Sequence, residues 1–179
     1  MSRHEAGAGP SPWVVRFAPR IPQGPVLDLA CGGGRHLRWL MDRGHRLVGI
    51  DRDLAGVADL RGSGAELIEA DLEGGTAWPL GERRFAGIIV TNYLWRPLLP
   101  HIVASVAAGG VLIYETFALG NERFGKPSNP DFLLKPGELL EAVQGRLAVI
   151  AYEHLQVEAP RPAVIQHIAA MHALDPTAV

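Results

Sequence analysis

The 179-residue sequence predicts an α/β fold, a doubly wound and mostly parallel sheet that ends in a C-terminal antiparallel hairpin. Three observations predict it. Short apolar runs suited to strands buried on both faces, at 26–29, 46–50, 85–90 and 111–114, alternate with segments of helical or loop character. The first run stops at Gly32-Gly33-Gly34, and apolar residues then recur at helical spacing in Leu37, Leu40 and Met41, which reads as strand, tight loop and helix. Near the end, two apolar stretches at 147–155 and 163–172 are split by Pro160 and Pro162, the pattern of a hairpin.

Composition narrows the function classes. With 47% hydrophobic and 20% charged residues the chain reads as an ordinary globular protein, and its length fits a single domain over 13–179 behind a mobile tail at 1–12. A net charge of -2 gives no basic footprint, so nucleic acid is not the expected partner. Cys31 is the sole cysteine and has no disulfide partner. No apolar segment is long enough to span a bilayer, and the N-terminus lacks the apolar block of a signal peptide, so the cytoplasm is the expected location. The seven histidines lack metal-site spacing, so no metal is expected.

The first strand carries an anomaly. Asp28 sits inside the apolar run of Val26, Leu27 and Leu29, where a carboxylate is costly unless its oxygens are bonded. It is expected to accept from backbone N–H groups of the glycine loop, from a ligand, or from both. The dinucleotide fingerprint G-x-G-x-x-G would place its third glycine at Leu37, and a phosphate loop would need Gly-Lys-Ser/Thr where Arg35-His36 stand. The pattern that fits is acidic-x-Gly-x-Gly-x-Gly, written Asp28-x-Ala30-x-Gly32-x-Gly34 with alanine at the first glycine position. In this stretch the chain resembles the class I S-adenosylmethionine (SAM)-dependent methyltransferases, and among them the small single-domain type typified by tellurite-resistance methyltransferases. The resemblance implies a Rossmann-like sheet of seven strands, SAM as cofactor, and cofactor contacts at Ala30, Cys31, Gly32, Gly34 and His36.

The remaining elements follow in order. Trp13 to Phe17 form a short helix between Pro12 and Pro19 that either caps the core or closes Trp13 and Arg16 over the cofactor, Arg16 then meeting its methionine carboxylate. The second strand ends at Asp51, 23 residues after Asp28. A carboxylate at that place in Rossmann-type folds accepts ribose hydroxyls, although Asp51 is also a candidate helix cap, a task that Asp53 can perform. Arg52 beside it joins the candidate cofactor residues. A third strand at 65–70 ends in Asp71-Leu72, which the resemblance places at the adenine; a solvated loop carboxylate is the plainer alternative. Residues 73–84 form a loop with Trp78 on the core.

The fourth strand runs into Asn92-Tyr93, which the resemblance sets beside the reactive methyl, with Asn92 at the cofactor. The two prolines of the motif that methylates base or glutamine amines are missing. Leu98, Ile102, Val103 and Val106 describe a helix stopped by Gly109-Gly110, and the fifth strand ends at Glu115. Tyr93 and Glu115 are the candidate catalytic groups, Glu115 as a proton acceptor. The run 118–135 is too rich in Gly, Asn and Pro for regular structure, and Asn121, Arg123, Phe124 and Phe132 serve either as lid residues or as loop anchors. Pro136 and Gly137 open a helix through Val143. His154, His167 and His172 read as strand side chains with satisfied bonds rather than catalysts.

The expected activity is in-line transfer of a methyl group to a small-molecule acceptor, where the protein's main task is to align nucleophile and methyl carbon. A nicotinamide-dependent oxidoreductase and a SAM-binding module without turnover are the alternatives.

Overall fold

The computed structural model describes residues 9–75 and 77–173. Seven strands form one sheet: β1 (Pro25–Leu29), β2 (Arg46–Asp51), β3 (Glu66–Glu69), β4 (Phe85–Thr91), β5 (Val106–Phe117), β6 (Ala148–Val157) and β7 (Ala163–Met171). Their spatial order is β3-β2-β1-β4-β5-β7-β6. Neighbours from β3 to β5 pair in parallel, and β7 runs antiparallel to both β5 and β6. The order reverses direction at β1 and β4, so ligands of such sheets bind beyond the carboxyl ends of these central strands.

Sequence explains why β1 and β4 are central. Val26, Leu27 and Leu29, and Phe85, Ile88, Ile89 and Val90, are buried on both faces of the sheet, as expected where helices or connections cover each side. One face packs Leu27, Leu29, Ile88 and Tyr114 under α3 (Leu99–Ala104) and α4 (Glu138–Val143). The other packs Val26, Ile89 and Ile113 under α1 (Pro12–Phe17) and α2 (Arg35–Met41). Among the described residues no helix is long and apolar enough to cross a membrane.

Three expectations change. Gly109 and Gly110 do not stop a helix: α3 ends at Ala104, and both glycines lie within β5, which is far longer than the 111–114 run. A Cβ on Gly110 would stand 2.8 Å from the carbonyl oxygens of Ala107 and Phe85, so glycine here permits close strand approach rather than termination. The tail is also shorter than 1–12 where it is described. Ser11 is buried and caps α1, its hydroxyl accepting from the Trp13 N–H at 3.1 Å; residues 1–8 lie outside the described residues. The connection after Asp51 is a 3-10 turn at Ala55–Leu60 rather than a full helix.

Candidate functional site

The site is assembled at the carboxyl ends of β1, β2, β3 and β4. After Leu29 the chain turns through Ala30 at φ 56°, and after Thr91 through Asn92 at φ 54°; these are the non-glycine residues with positive φ among the described residues. Left-handed backbone at a residue with a Cβ is unfavourable and collects where function constrains the chain. Here it bends the tips of the two central, adjacent strands. Ala30 therefore occupies the conformation that glycine takes in the motif.

The glycine loop is fastened from two sides. Gly32 N–H donates to Asp51 Oδ2 at 2.8 Å, and Cys31 N–H to the Ile50 carbonyl at 3.1 Å, both at the tip of β2. On the opposite side the Arg38 guanidinium donates to the Gly33 carbonyl, to the Gly56 carbonyl at 3.3 Å and to Asp59 Oδ1 at 2.6 Å. Gly34 has φ 71°, and a Cβ there would meet Val57 at 2.5 Å. Above Gly33, in contrast, a Cβ would meet nothing within 4 Å, which leaves the loop's outer surface open to a ligand.

Asp28 is fully enclosed, and its Oδ2 has no hydrogen-bond partner. Burial pushes its carboxyl up to about 7, against the pull of the Arg35 guanidinium, with the nearby Asp51 charge pushing it further up. The Leu37 N–H, in the first turn of α2, is the backbone group that favours its ionised form, rather than a glycine N–H. An orphaned acceptor oxygen, an open glycine loop and a cation at Arg35 are what a zwitterionic amino-acid end requires. Arg35 was not among the sequence candidates; its position as the first residue of the helix after the glycines was the available signal.

Asp51 has one oxygen on Gly32 N–H, and the other accepts the Asp53 N–H at 3.1 Å, so it organises the loop at the tip of β2. Asp53 in turn accepts from the Ala55 N–H at 2.8 Å, the capping task expected of it. Arg52 is exposed beside them. Asp71 is exposed, accepting the Glu73 N–H at 2.9 Å, with Leu72 half-buried next to it. A cavity of about 210 Å³ opens off this corner, lined by Leu72, Glu73, Trp78, Trp95 and His101 among others. Trp78 stacks on His101 at 5.6 Å.

The candidates toward β5 are arranged differently from a cofactor clasp. His36 is buried, and its Nε2 accepts the Ser11 N–H at 3.1 Å; burial, assisted by Arg35, lowers its pKa to about 4, so it is a neutral anchor for the start of α1. Arg16 lies 3.6 Å from Glu153 on the edge strand β6, an exposed ion pair of the weak kind. Trp13 is buried and stacks on the His167 imidazole at 3.9 Å between centroids. His167 lies between two carboxylates, Nδ1 at 3.1 Å from Glu115 and Nε2 at 3.0 Å from Glu153, so both ring nitrogens are satisfied, as expected for a strand histidine. Burial opposes ionisation of Glu115, but hydrogen bonds from His167 and Ser11 outweigh it and hold its carboxyl below the usual range. Glu115 is thus an anchor beneath α1. Tyr93 differs, since its hydroxyl is buried beside the Glu73 carboxylate, and burial together with the charge and hydrogen bonding of Glu73 keeps it protonated.

The topology is that of a Rossmann-like α/β protein, with the candidate residues gathered at the tips of its central strands. Residues 26–110 match the family model described as a methyltransferase domain. The chain is 32% identical over 110 residues to a protein-L-isoaspartate O-methyltransferase of Chlorobaculum tepidum, a match covering 58% of this chain and 50% of the relative. It is 32% identical over 135 residues to a trans-aconitate 2-methyltransferase of Sinorhizobium fredii, covering 71% and 46%. The chain spans about half the length of the curated relatives it matches. Its fold is shared with TehB from Haemophilus influenzae at a TM-score of 0.71 and 20% identity, over 88% of this chain and 60% of that one. The matched stretch carries the glycine loop, Asp51 and Asp71, and the chain as a whole shares the fold of that structure.

Proposed function

We propose that the chain binds SAM across the tips of β1 to β4 and transfers its methyl group to a small-molecule acceptor, working as a single domain in the cytoplasm. One observation supports this reading above the rest: the open glycine loop, the orphaned Asp28 oxygen, Asp51 and Asp71 share one edge of one sheet with the bent tip of β4. SAM, when bound, supplies a methyl group on a sulfonium that a nucleophile displaces in line.

The residues divide the work by chemistry. Asp51 accepts ribose hydroxyls while it holds Gly32, Asp71 and Leu72 receive the adenine, and Asp28 with Arg35 faces the methionine ammonium and carboxylate. Arg35 takes that place rather than Arg16, because it is the Arg35 guanidinium that pulls on Asp28. Tyr93 is the group that orients an acceptor, since its hydroxyl stands beside the Glu73 carboxylate at the strand-tip edge, whereas Glu115 is spoken for by His167 and Ser11. The relatives' names point to a small carboxylic acid in one case and a protein residue in the other, and the first fits a chain with no basic surface excess.

Calorimetry with SAM, S-adenosylhomocysteine and NAD(H), followed by S-adenosylhomocysteine release over a panel of carboxylates, thiols, phenols, amines and an isoaspartyl peptide, tests the reading. SAM binding with turnover on a small acceptor is the expected result. NAD(H) binding without SAM binding would overturn the cofactor assignment, turnover on the peptide alone would overturn the acceptor class, and SAM binding with no turnover would leave a binding module.

A further inference from the structure

The connection that follows β5, residues 118–135, rises from the same edge of the sheet as the glycine loop but on the far side of β4 from β1. Its inner limb is tied to strand residues. Ala118 N–H donates to the Val164 carbonyl at 2.9 Å, Leu134 N–H to the Phe117 carbonyl at 3.0 Å, and buried Asn121 accepts the Val164 N–H at 3.2 Å. The outer limb is held by buried Leu133 and Leu134, by Gln166 Nε2 donating to the Lys135 carbonyl at 2.7 Å, and by one arginine from beyond β4 that makes several bonds at once. Arg96, just beyond the bent tip of β4, donates through Nη1 to the Asp131 carbonyl at 2.6 Å and through Nη2 to the Leu133 carbonyl at 2.8 Å. The same guanidinium meets Glu138 at the start of α4 with two bonds, Nε to Oε1 at 2.6 Å and Nη2 to Oε2 at 3.0 Å. Glu138 Oε2 also accepts the Lys135 N–H at 2.7 Å.

This is a fork that only arginine can fill. Four bonds diverge in one plane from a side chain that is about one-third exposed, onto a carboxylate that is 13% exposed; a lysine is a single point charge and cannot span two carbonyls and a bidentate acid. The tip of β4 is itself held from below, where the buried Tyr114 hydroxyl donates to the Tyr93 carbonyl at 2.8 Å. Arg96 therefore joins a fixed strand tip, which carries the candidate acceptor-orienting Tyr93, to a loop with little structure of its own. Loops of this length that remain ordered without regular structure usually shape a binding mouth.

We infer that Arg96 is a positioning residue for the methyl acceptor: it sets the 118–135 loop against the β4 tip and so fixes the acceptor mouth, while taking no part in holding SAM. This rests on the methyl-transfer reading above. SAM's partners come from β1 to β4 and the loops that follow them, and none of them touches the Arg96 bonds, so the two ends of the site should come apart under mutation.

The test uses the full chain with Arg96→Lys and Arg96→Gln, and Glu138→Gln as an independent way to break the same fork. Amide hydrogen exchange over 130–135, SAM affinity by calorimetry, and acceptor kinetics with the best acceptor of the panel are measured together. Exchange at 133 and 134 is expected to quicken by about tenfold or more in each variant, and acceptor kcat/KM to fall by about tenfold, mainly through KM, with SAM Kd unchanged within about twofold. The lysine variant keeps the charge and is expected to fold, yet not to restore the loop. Unchanged exchange would overturn the inference while leaving methyl transfer standing, and so would a loss of SAM affinity in step with acceptor turnover. A wild-type chain that binds no SAM would overturn the methyl-transfer reading and the acceptor role with it, whatever the exchange shows.

Discussion

Asp51 Oδ2 and Gly32 N–H are 2.8 Å apart, so the carboxylate at the end of β2 holds the glycine loop that follows β1. A loop of small residues has little packing to fix it, and a charge-assisted bond to a part-buried backbone donor is the stronger kind. Asp51 thus fixes the shape of the loop, and ribose binding is the second task proposed for it. Replacing it by Ala is expected to weaken SAM binding by about 1–3 kcal/mol in calorimetry and to lower stability as well, because Gly32 N–H loses its acceptor. Unaltered affinity would assign the ribose to another group.

Ala30 carries a backbone strain that glycine would relieve. At φ 56° its Cβ is unfavourable by roughly 1–2 kcal/mol, offset in part by the greater freedom glycine has when unfolded. Ala30→Gly is expected to leave SAM affinity near wild type and to raise the urea midpoint, by up to about 1 kcal/mol of stability. A lower midpoint would mean that the methyl group packs usefully in the site.

Two buried groups give stability opposite slopes with pH. His36 is neutral in the fold down to about 4, while its unfolded counterpart protonates below its ordinary value of 6.5, so its contribution is present above that value and is lost as pH falls toward about 4. Asp28 holds its proton in the fold up to about 7, where an unfolded aspartate ionises from 3.8, so stability falls as pH rises between those values. Asp28→Asn is expected to abolish the falling arm, leaving urea-denaturation stability that rises with pH from about 4 to 6.5. A residual decline over that range in the variant would assign the linkage to another group.

Asp28 also links cofactor binding to protons. The positive charges of SAM favour the ionised carboxylate, so affinity is expected to rise as pH passes through about 7, with proton release that varies with buffer ionisation enthalpy. The Asn variant should show neither effect.

Glu115 offers the sharpest division between anchor and catalyst. Its carboxyl, held low by His167 and Ser11, is expected to matter for α1: Glu115→Gln should cost about 1–3 kcal/mol in thermal or urea unfolding and leave kcat within about threefold. A loss of kcat by about a hundredfold with normal stability would restore Glu115 as the proton acceptor.

Much of this fold was legible because its information is local. Apolar runs such as Phe85–Val90, the break at Gly32 and the punctuation at Pro160 each act on the residues that carry them. Asp28 and Asp51 stand out for a related reason, since a charge in or at the end of a buried strand needs a partner, which is Gly32 N–H for Asp51 and Leu37 N–H, not a glycine N–H, for Asp28. What could not be read was cross-strand register. His167 stands opposite Glu115 on one side and Glu153 on the other only because β7 lies between β5 and β6, and linear spacing gives no hint of it. The exposed Arg16–Glu153 pair likewise depends on β6 lying at the sheet edge, and Gly109-Gly110 resembled a helix stop when they were a close-approach point in a long strand. Arg96 and Arg38 went unnoticed because an arginine between apolar residues carries no local signal of the carbonyls it will meet.

The placement of β7 has a consequence for how the molecule is made. Its residues emerge last of all the strands, yet they fill an interior slot, with β5 on one flank and β6 on the other. Until translation delivers them, β6 has no neighbour to bond, and β5 is left with a bare edge of the kind that other chains can seize. A ribosome that stalls short of Ala163 would release a half-built sheet, which makes this stretch the point where a chaperone has most to protect.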